Sequence, residues 1–383
     1  STKLTSYGSS LLKFSLEKEH IIIKWQDNHE SKFHFLWLRD NCPTSFHSDS
    51  KMRKFNLLSV SKNIYPKKIN NNKNNLRIHW NENDHISNYE LKWLRDHCYT
   101  EINNHKYKTP YILWKSNLNK EFKLISLNHD EVINKKEKLI QWLELLHVYG
   151  ITIIKNAPTK DKSAFKILNK ISHHRETFFG TPFEVINIPK PNNQAYTADA
   201  LTNHSDLPYF EYAPGYQFLH CLENTANGGD STAVDGFAVA DYLLKNEKEM
   251  FDILSSTQVK FKDNDFTQKA IRILYSPIIT LTKDNDFNDI RLNMGAMATI
   301  DVHPNKMKKF YDAYRFFTSL LHDKKFVIEF RLDAGDIFCF NNRRVLHGRS
   351  AFNPNSGNRH LQGYYIERDE IISRLNYFNN IQV

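Results

Sequence analysis

The sequence predicts a mainly β chain with added helices: a double-stranded β-helix (jelly-roll) core preceded by a small β-rich domain. Three observations carry this. Apolar runs of strand length lie beside the polar residues that could act as ligands, as in Tyr216-Gln217-Phe218-Leu219-His220-Cys221 and the run from Asp336 to Leu346. Helical periodicity is confined to a few segments, so strands would deliver side chains and helices would buttress them. A hexapeptide also recurs, Trp37-Leu38-Arg39-Asp40-Asn41-Cys42 returning as Trp93-Leu94-Arg95-Asp96-His97-Cys98, which marks a duplicated unit.

Taken in order, Ser1-Thr2-Lys3-Leu4-Thr5 opens no apolar stretch of the kind a secretory signal needs. No later run approaches the ~20 apolar residues that span a bilayer, so a soluble cytoplasmic protein without a membrane partner is expected. Each hexapeptide follows a β-like stretch, Ile21-Ile22-Ile23-Lys24-Trp25 in one copy and Leu76-Arg77-Ile78-His79-Trp80 in the other. The spacing predicts two strand-rich units joined by an Asn/Lys-rich loop over 66–75, all within a first domain at 1–115. Tyr99 to Leu127 has little periodicity and reads as a linker into a second domain at 116–383. Asn128 then stands as an N-cap with Glu131 in capping-box position, and a helix through Leu139, Trp142, Leu143 and Leu146 would stop near Gly150. A strand at Ile151-Thr152-Ile153-Ile154 and helices over 160–173, 237–254 and 305–321 complete the pattern.

Composition narrows the partners. The 383 residues suffice for two or three domains with a full core. Cys42, Cys98, Cys221 and Cys339 are widely separated, which favours free thiols or metal ligands over disulfides. A net charge of +9 raises nucleic acid as a partner. The lysines, however, are scattered among Asn and Ile, as in Lys67-Lys68-Ile69-Asn70-Asn71-Asn72-Lys73, without an aromatic-basic motif. A solvated surface is the better reading, and no nucleic-acid partner is expected.

The chemistry comes from an ordered set of residues. His204-Ser205-Asp206 precedes Ser231 by 27 residues, and His347 is followed 12 residues later by Arg359. A His-x-Asp pair alone is weak in a chain with 18 His. Here it lies ahead of one apolar run, where alternate strand residues share a face, and His347 ends another, as if a buried strand delivered it to a cavity mouth. Two imidazoles and a carboxylate on one face of Fe(II) leave positions for a bidentate 2-oxo acid and O2. Arg359 offers a planar fork, and Ser231 a hydroxyl, for the far carboxylate of 2-oxoglutarate.

From about Phe33 to Phe378 the chain resembles the γ-butyrobetaine dioxygenase and trimethyllysine dioxygenase family, a branch of the taurine dioxygenase-like oxygenases. Matching stretches include Trp37-Leu38-Arg39-Asp40-Asn41-Cys42, Asn193-Gln194-Ala195-Tyr196-Thr197, Leu219-His220-Cys221-Leu222, Gly228-Gly229-Asp230-Ser231, Val234-Asp235-Gly236-Phe237, Leu346-His347-Gly348-Arg349 and Arg359-His360-Leu361. The resemblance implies an Fe(II) site at His204, Asp206 and His347, with Arg359 and Ser231 on 2-oxoglutarate, O2 as co-substrate and ascorbate as reductant. It implies a trimethylammonium substrate held in an aromatic cage, matched here by Phe179, Phe183, Tyr196 and Tyr365, with Asn193 on the substrate carboxylate. Hydroxylation of γ-butyrobetaine to L-carnitine, a step of carnitine biosynthesis, and a homodimer are further implications. Trimethyllysine and a trimethylammonio-phosphonate are the alternative substrates, and a non-catalytic binder of quaternary amines is the alternative from another class.

Two departures stand out. Phe occupies cage positions where butyrobetaine enzymes carry Tyr and Trp, and the second carboxylate-binding Asn is not obvious around Asn293-Met294-Gly295-Ala296. In the family three Cys and a His hold a structural zinc in the N-terminal domain. Here Cys42 and His85 match, while Thr44 and His47 replace the other two. Structural zinc takes four ligands, so Cys42, His47 and His85 leave it one short. A vestigial site is expected, the domain being held by its core, and Cys98 is the first suspect should a fourth ligand exist.

Overall fold

The computed structural model describes residues 12–101, 110–186 and 198–380. The chain falls into two compact units, Ser1–Lys108 and Thr109–Val383.

The smaller unit is a structural duplication. Strands Lys13–Leu16, His20–Lys24 and Glu30–His34 form an antiparallel sheet that runs into a short helix, Phe35–Asp40. Strands Pro66–Asn71, Asn75–Trp80 and Ile86–Glu90 form a second, which runs into Leu91–Asp96. Period-2 alternation sends Ile21, Ile23, Leu76, Ile78 and Trp80 inward, where Phe33, Leu38, Tyr89 and Leu94 complete one core. The repeated hexapeptide therefore lies on the two short helices, and Trp37 meets Trp93 with ring centroids 5.7 Å apart. The stretch expected as a loop over 66–75 instead supplies the Pro66–Asn71 strand, whose mostly outward Lys and Asn side chains mask its pairing with Asn75–Trp80.

The larger unit is built on two sheets. A six-stranded sheet runs in the order Ser126–Asn128, Ile151–Lys155, Ile337–Asn341, Tyr216–Asn224, Arg359–Ile366, Phe183–Val185. A four-stranded sheet runs Leu201–His204, Val345–Arg349, Ser231–Asp235, Ile328–Phe330. Every pairing is antiparallel except the first of the larger sheet. The larger sheet is covered on both faces, which is why its strands read as continuous apolar runs. Phe218, Cys339 and Tyr364 pack with Trp142, Leu143, Leu146, Ile371 and Leu375 from helices Lys136–Tyr149 and Arg368–Phe378. Their strand neighbours Leu219, Phe338 and Tyr365 turn to the other side, toward the smaller sheet.

Several expectations change in detail. The segment read as a linker from Tyr99 to Leu127 is tied into the larger unit from its described part onward. Ile112 donates to Val148 O at 2.9 Å, Trp114 donates to Asp235 at 3.1 Å, and Ser116–Ile125 forms a 3-10 helix. Asn128 caps as expected, accepting from the N–H groups of Asp130 and Glu131, but extended backbone at Lys135 divides the helix into His129–Asn134 and Lys136–Tyr149. Gly150 closes the second in the left-handed region at φ 70°. The helix expected over 160–173 shrinks to Phe165–Leu168, because Lys162 turns left-handed to donate to Gln362. The one expected over 237–254 breaks at Glu247 into Gly236–Asn246 and Lys248–Ser256, whereas Pro304–Leu320 matches its expected helix. The apolar run before His347 is two strands, since Asn341 accepts from Arg343 and Arg344 in a turn that carries the chain from one sheet to the other. His347 is thus central in its strand, not at its end.

Candidate active site

The register of the smaller sheet brings the predicted ligands together. Leu201–His204 pairs with Val345–Arg349 so that His204 faces His347, and their rings lie 4.4 Å apart. Asp206 is placed by a turn, because the strand ends at His204. Ser205 donates to Leu292 O at 2.7 Å, Asp206 donates its N–H to Asn342 Oδ1 at 2.7 Å, and Leu207 takes a left-handed φ of 53°. The Asp206 Oδ1 atom then stands 3.2 Å from His204 Nε2 and 3.5 Å from His347 Nε2. Among the described residues this is the one group of three or more His, Cys, Asp or Glu whose ligand atoms converge, all within 4.8 Å.

The surroundings fit a divalent transition metal such as Fe(II). His204 Nδ1 bonds Thr202 O at 2.7 Å, which fixes the ring and leaves Nε2 facing Asp206. Tyr365 donates its hydroxyl to Asp206 Oδ2 at 2.5 Å, which leaves Oδ1 for a metal. Burial, with the charge of His204, drives the His347 pKa down to about 3, so the ring is a neutral ligand. Burial pushes the Asp206 carboxyl up, but His347 and His204 outweigh it and hold the group below the usual range. His204 moves the opposite way from His347: burial lowers it, and the bond and charge of Asp206 raise it further. A metal dication would displace that proton and leave both imidazoles neutral.

Around the triad lies a cavity of about 370 Å3 between the two sheets, lined by both. Ser231 and Arg359 both reach it. Arg359 is only 8% exposed; its Nε has no partner, and its Nη2 makes one long bond of 3.4 Å to Gly229 O. A buried guanidinium so poorly paired fits the carboxylate of a dicarboxylic ligand. Toward the other end stand aromatic faces. Phe179 and Phe183 have centroids 5.9 Å apart, and Phe183 stacks on Tyr365 at 5.1 Å. Gly363, opposite Phe183 in the register, makes this stack feasible, for a Cβ there would sit 2.0 Å from the Phe183 ring. Asn193 and Tyr196 lie outside the described residues.

Sequence reasoning passed over other groups at this cavity. Arg349 lines it, although the motif Leu346-His347-Gly348-Arg349 served only as a family mark, and so do Gln217, Lys262 and Asn293. Alternation along the strand could have signalled Arg349, since it is two residues after His347 and shares its face. In the smaller unit Cys42 Sγ lies 3.0 Å from Thr44 Oγ1 and 3.4 Å from His85 Nε2. His47 is not in that cluster, and its backbone N–H bonds Met52 O.

Comparison with known proteins adds a second line. The model of the taurine catabolism dioxygenase TauD, TfdA family matches residues 116–365, and that of the γ-butyrobetaine hydroxylase-like N-terminal domain matches 12–95. The γ-butyrobetaine dioxygenase of Pseudomonas sp. (strain AK-1) is 34% identical over 93% of this chain and 92% of its own length. That of Homo sapiens is 32% identical over 94% and 95%, and the trimethyllysine dioxygenase of Meyerozyma guilliermondii 28% over 98% of each. A solved taurine dioxygenase from Burkholderia xenovorans aligns over 63% of this chain and 87% of its own, with TM-score 0.48 and 10% identity, too distant to bear on the chemistry. With relatives matched along nearly their whole length and a metal-competent His-Asp-His site in a jelly-roll cavity, the chain belongs to the γ-butyrobetaine and trimethyllysine dioxygenase family of Fe(II)- and 2-oxoglutarate-dependent oxygenases.

Proposed function

We propose that the protein hydroxylates a trimethylammonium substrate, γ-butyrobetaine first among them, to give L-carnitine. The observation that carries the proposal is the juxtaposition of the Phe179, Phe183 and Tyr365 rings with His204, Asp206 and His347 in one cavity. A quaternary ammonium has no N–H to donate, so aromatic faces are among the few groups that attract it, through the ring quadrupole. Relatives named for γ-butyrobetaine and for trimethyllysine support the same cation.

In this reading His204, Asp206 and His347 hold Fe(II), and Arg359 with Ser231 holds the far carboxylate of 2-oxoglutarate. Bound together with O2, iron and the 2-oxo acid supply the oxidising power that puts a hydroxyl on an unactivated C–H, with release of succinate and CO2. The chain supplies orientation. Tyr365 serves both ends, since its ring faces the amine while its hydroxyl fixes the Asp206 carboxylate. Leu219, Phe338 and Leu361 give the cavity apolar walls that limit water around the reacting carbon. Asn193, Tyr196 and Asn293 are assigned to the substrate, the two Asn at its anionic end. The proposal extends to a homodimer, on the strength of the resemblance alone, and to a cytoplasmic location; among the described residues no helix is long and apolar enough to cross a membrane. For the smaller unit we propose a fold held without zinc.

The test is succinate release from 2-oxoglutarate across a panel of amines. Release that depends on γ-butyrobetaine supports the proposal, and preference for trimethyllysine or a trimethylammonio-phosphonate moves the assignment to that compound. Binding of quaternary amines with no succinate under any of them would make the protein a binder.

A further inference from the structure

Arg349 is the strongest feature of the cavity that the reading above leaves without a role. It is 6% exposed and lines the same cavity as Ser231 and Arg359. Three observations place it at the end where Arg359 lies. Across the strands Ser231 pairs directly with Arg349, and directly paired residues project on the same face with Cβ atoms about 5 Å apart. Gly229, whose carbonyl accepts from Arg359, is two residues before Ser231 on the approach to that strand. The guanidinium groups of Arg349 and Arg359 both lie over the Phe352 ring, at 5.4 and 5.7 Å. Arg349 also donates to Asp199 O, from Nε at 3.4 Å and Nη2 at 3.3 Å.

Two buried guanidinium groups beside one aromatic ring repel each other. An anion with several acceptor sites between the two charges would offset that repulsion. An ionised carboxylate has about four lone-pair sites, enough for one bidentate guanidinium fork, a single bond from a second guanidinium and a hydroxyl.

We propose that Arg349 is a third holder of the far carboxylate of the 2-oxo acid, closing a clamp with Arg359 and Ser231. This rests on the co-substrate reading and adds to it a residue that sets the choice of a dicarboxylic over a monocarboxylic 2-oxo acid.

The test is calorimetric binding of 2-oxoglutarate and of 2-oxobutyrate, which lacks the far carboxylate, to the Mn(II)-loaded full chain without turnover. The variants are R349M, R349K and R359M, each checked for an unchanged melting profile. R349M is expected to weaken 2-oxoglutarate roughly tenfold or more, the scale of a hydrogen bond to a charged group, while 2-oxobutyrate changes less than about twofold. R349K, which keeps charge and bulk, is expected to fall between, so a folding defect in R349M leaves the idea open to refutation. Equal weakening of both acids, or of neither, overturns the Arg349 role, and loss of the preference in R359M alone does so while leaving the co-substrate reading intact. An unmodified protein that binds both acids equally overturns the co-substrate reading together with the clamp.

Discussion

At the scale of single residues, the hydroxyl of Tyr365 is the most informative atom after the ligands themselves. It bonds Asp206 Oδ2, which leaves Oδ1 to the proposed metal. Tyr365→Phe keeps the ring and removes that bond. Since a hydrogen bond to a charged group contributes roughly 1.5–3 kcal/mol, Fe(II) affinity is expected to fall about 10- to 100-fold, with amine affinity changed far less. Metal titration under anaerobic conditions, followed by amine binding at saturating metal, separates the two; an unchanged metal affinity would show the bond to be idle. His204, Asp206, Ser231, His347 and Arg359 could be singled out in the sequence because the proposed chemistry calls for those residue types in that order, and the structure brings all five to one cavity. The Tyr365 bond could not be, as it joins a strand of the larger sheet to the turn that follows Leu201–His204.

Elements show where local pattern succeeds and where it fails. The strands at Tyr216–Asn224 and Arg359–Ile366 were readable from apolar content, yet which side each residue faces emerged only from the register. Gly363 illustrates this: it is an ordinary residue in the sequence and a required absence of side chain in the fold. Gly363→Ala must push Phe183 off Tyr365, and overpacking of this kind costs roughly 1–3 kcal/mol. The amine Km should therefore rise about tenfold while that of 2-oxoglutarate holds; steady-state kinetics in both ligands checks it, and equal rises would point to general damage.

The duplicated element makes a separate prediction. Cys98 lies 3.5 Å from His29 Nε2 and accepts from Ser31 Oγ at 3.0 Å, as Cys42 meets His85 and Thr44 in the other copy. Burial alone would raise the Cys98 thiol, but bonds from His29, Ser31 and Thr100 bring it down to about 7. With the folded value below the unfolded one, the thiolate favours the folded state at alkaline pH, and that contribution is lost as pH falls through about 7. Iodoacetamide labelling of Cys98 should reach half its maximal rate near pH 7, and a midpoint close to 9 would contradict the arrangement.

For the whole molecule, the pair Arg344–Asp235 joins parts of the chain that sequence spacing keeps apart. Both side chains are fully buried, with bonds of 3.0 and 2.9 Å between them. Arg344 also donates to Val148 O and Ile112 O, and Asp235 accepts from Trp114 N and Phe237 N. This network is why the segment after residue 109 belongs to the larger unit, and a linker reading could not foresee it because its partners lie far downstream. The fold class itself was legible, since alternating and continuous apolar runs report sheets whatever their order. Arg344→Met leaves a buried carboxylate unpaired, which costs roughly 3–5 kcal/mol, so Tm is expected to fall by about 10 °C. Thermal melting decides it, and a shift within error would mean that the packing carries this region without the pair.

The central claim is that aromatic faces beside the His-Asp-His triad select a trimethylammonium group for hydroxylation. The most direct measurement compares γ-butyrobetaine with its neutral tert-butyl isostere, following both binding and hydroxylated product by mass spectrometry in the presence of Fe(II), 2-oxoglutarate and O2. The charged compound is expected to yield a product one oxygen heavier, matched mole for mole by succinate, and to bind more tightly by about 1–2 kcal/mol, the value of a desolvated cation over aromatic rings. Equal binding of the two, or succinate formed without any hydroxylated amine, would contradict it.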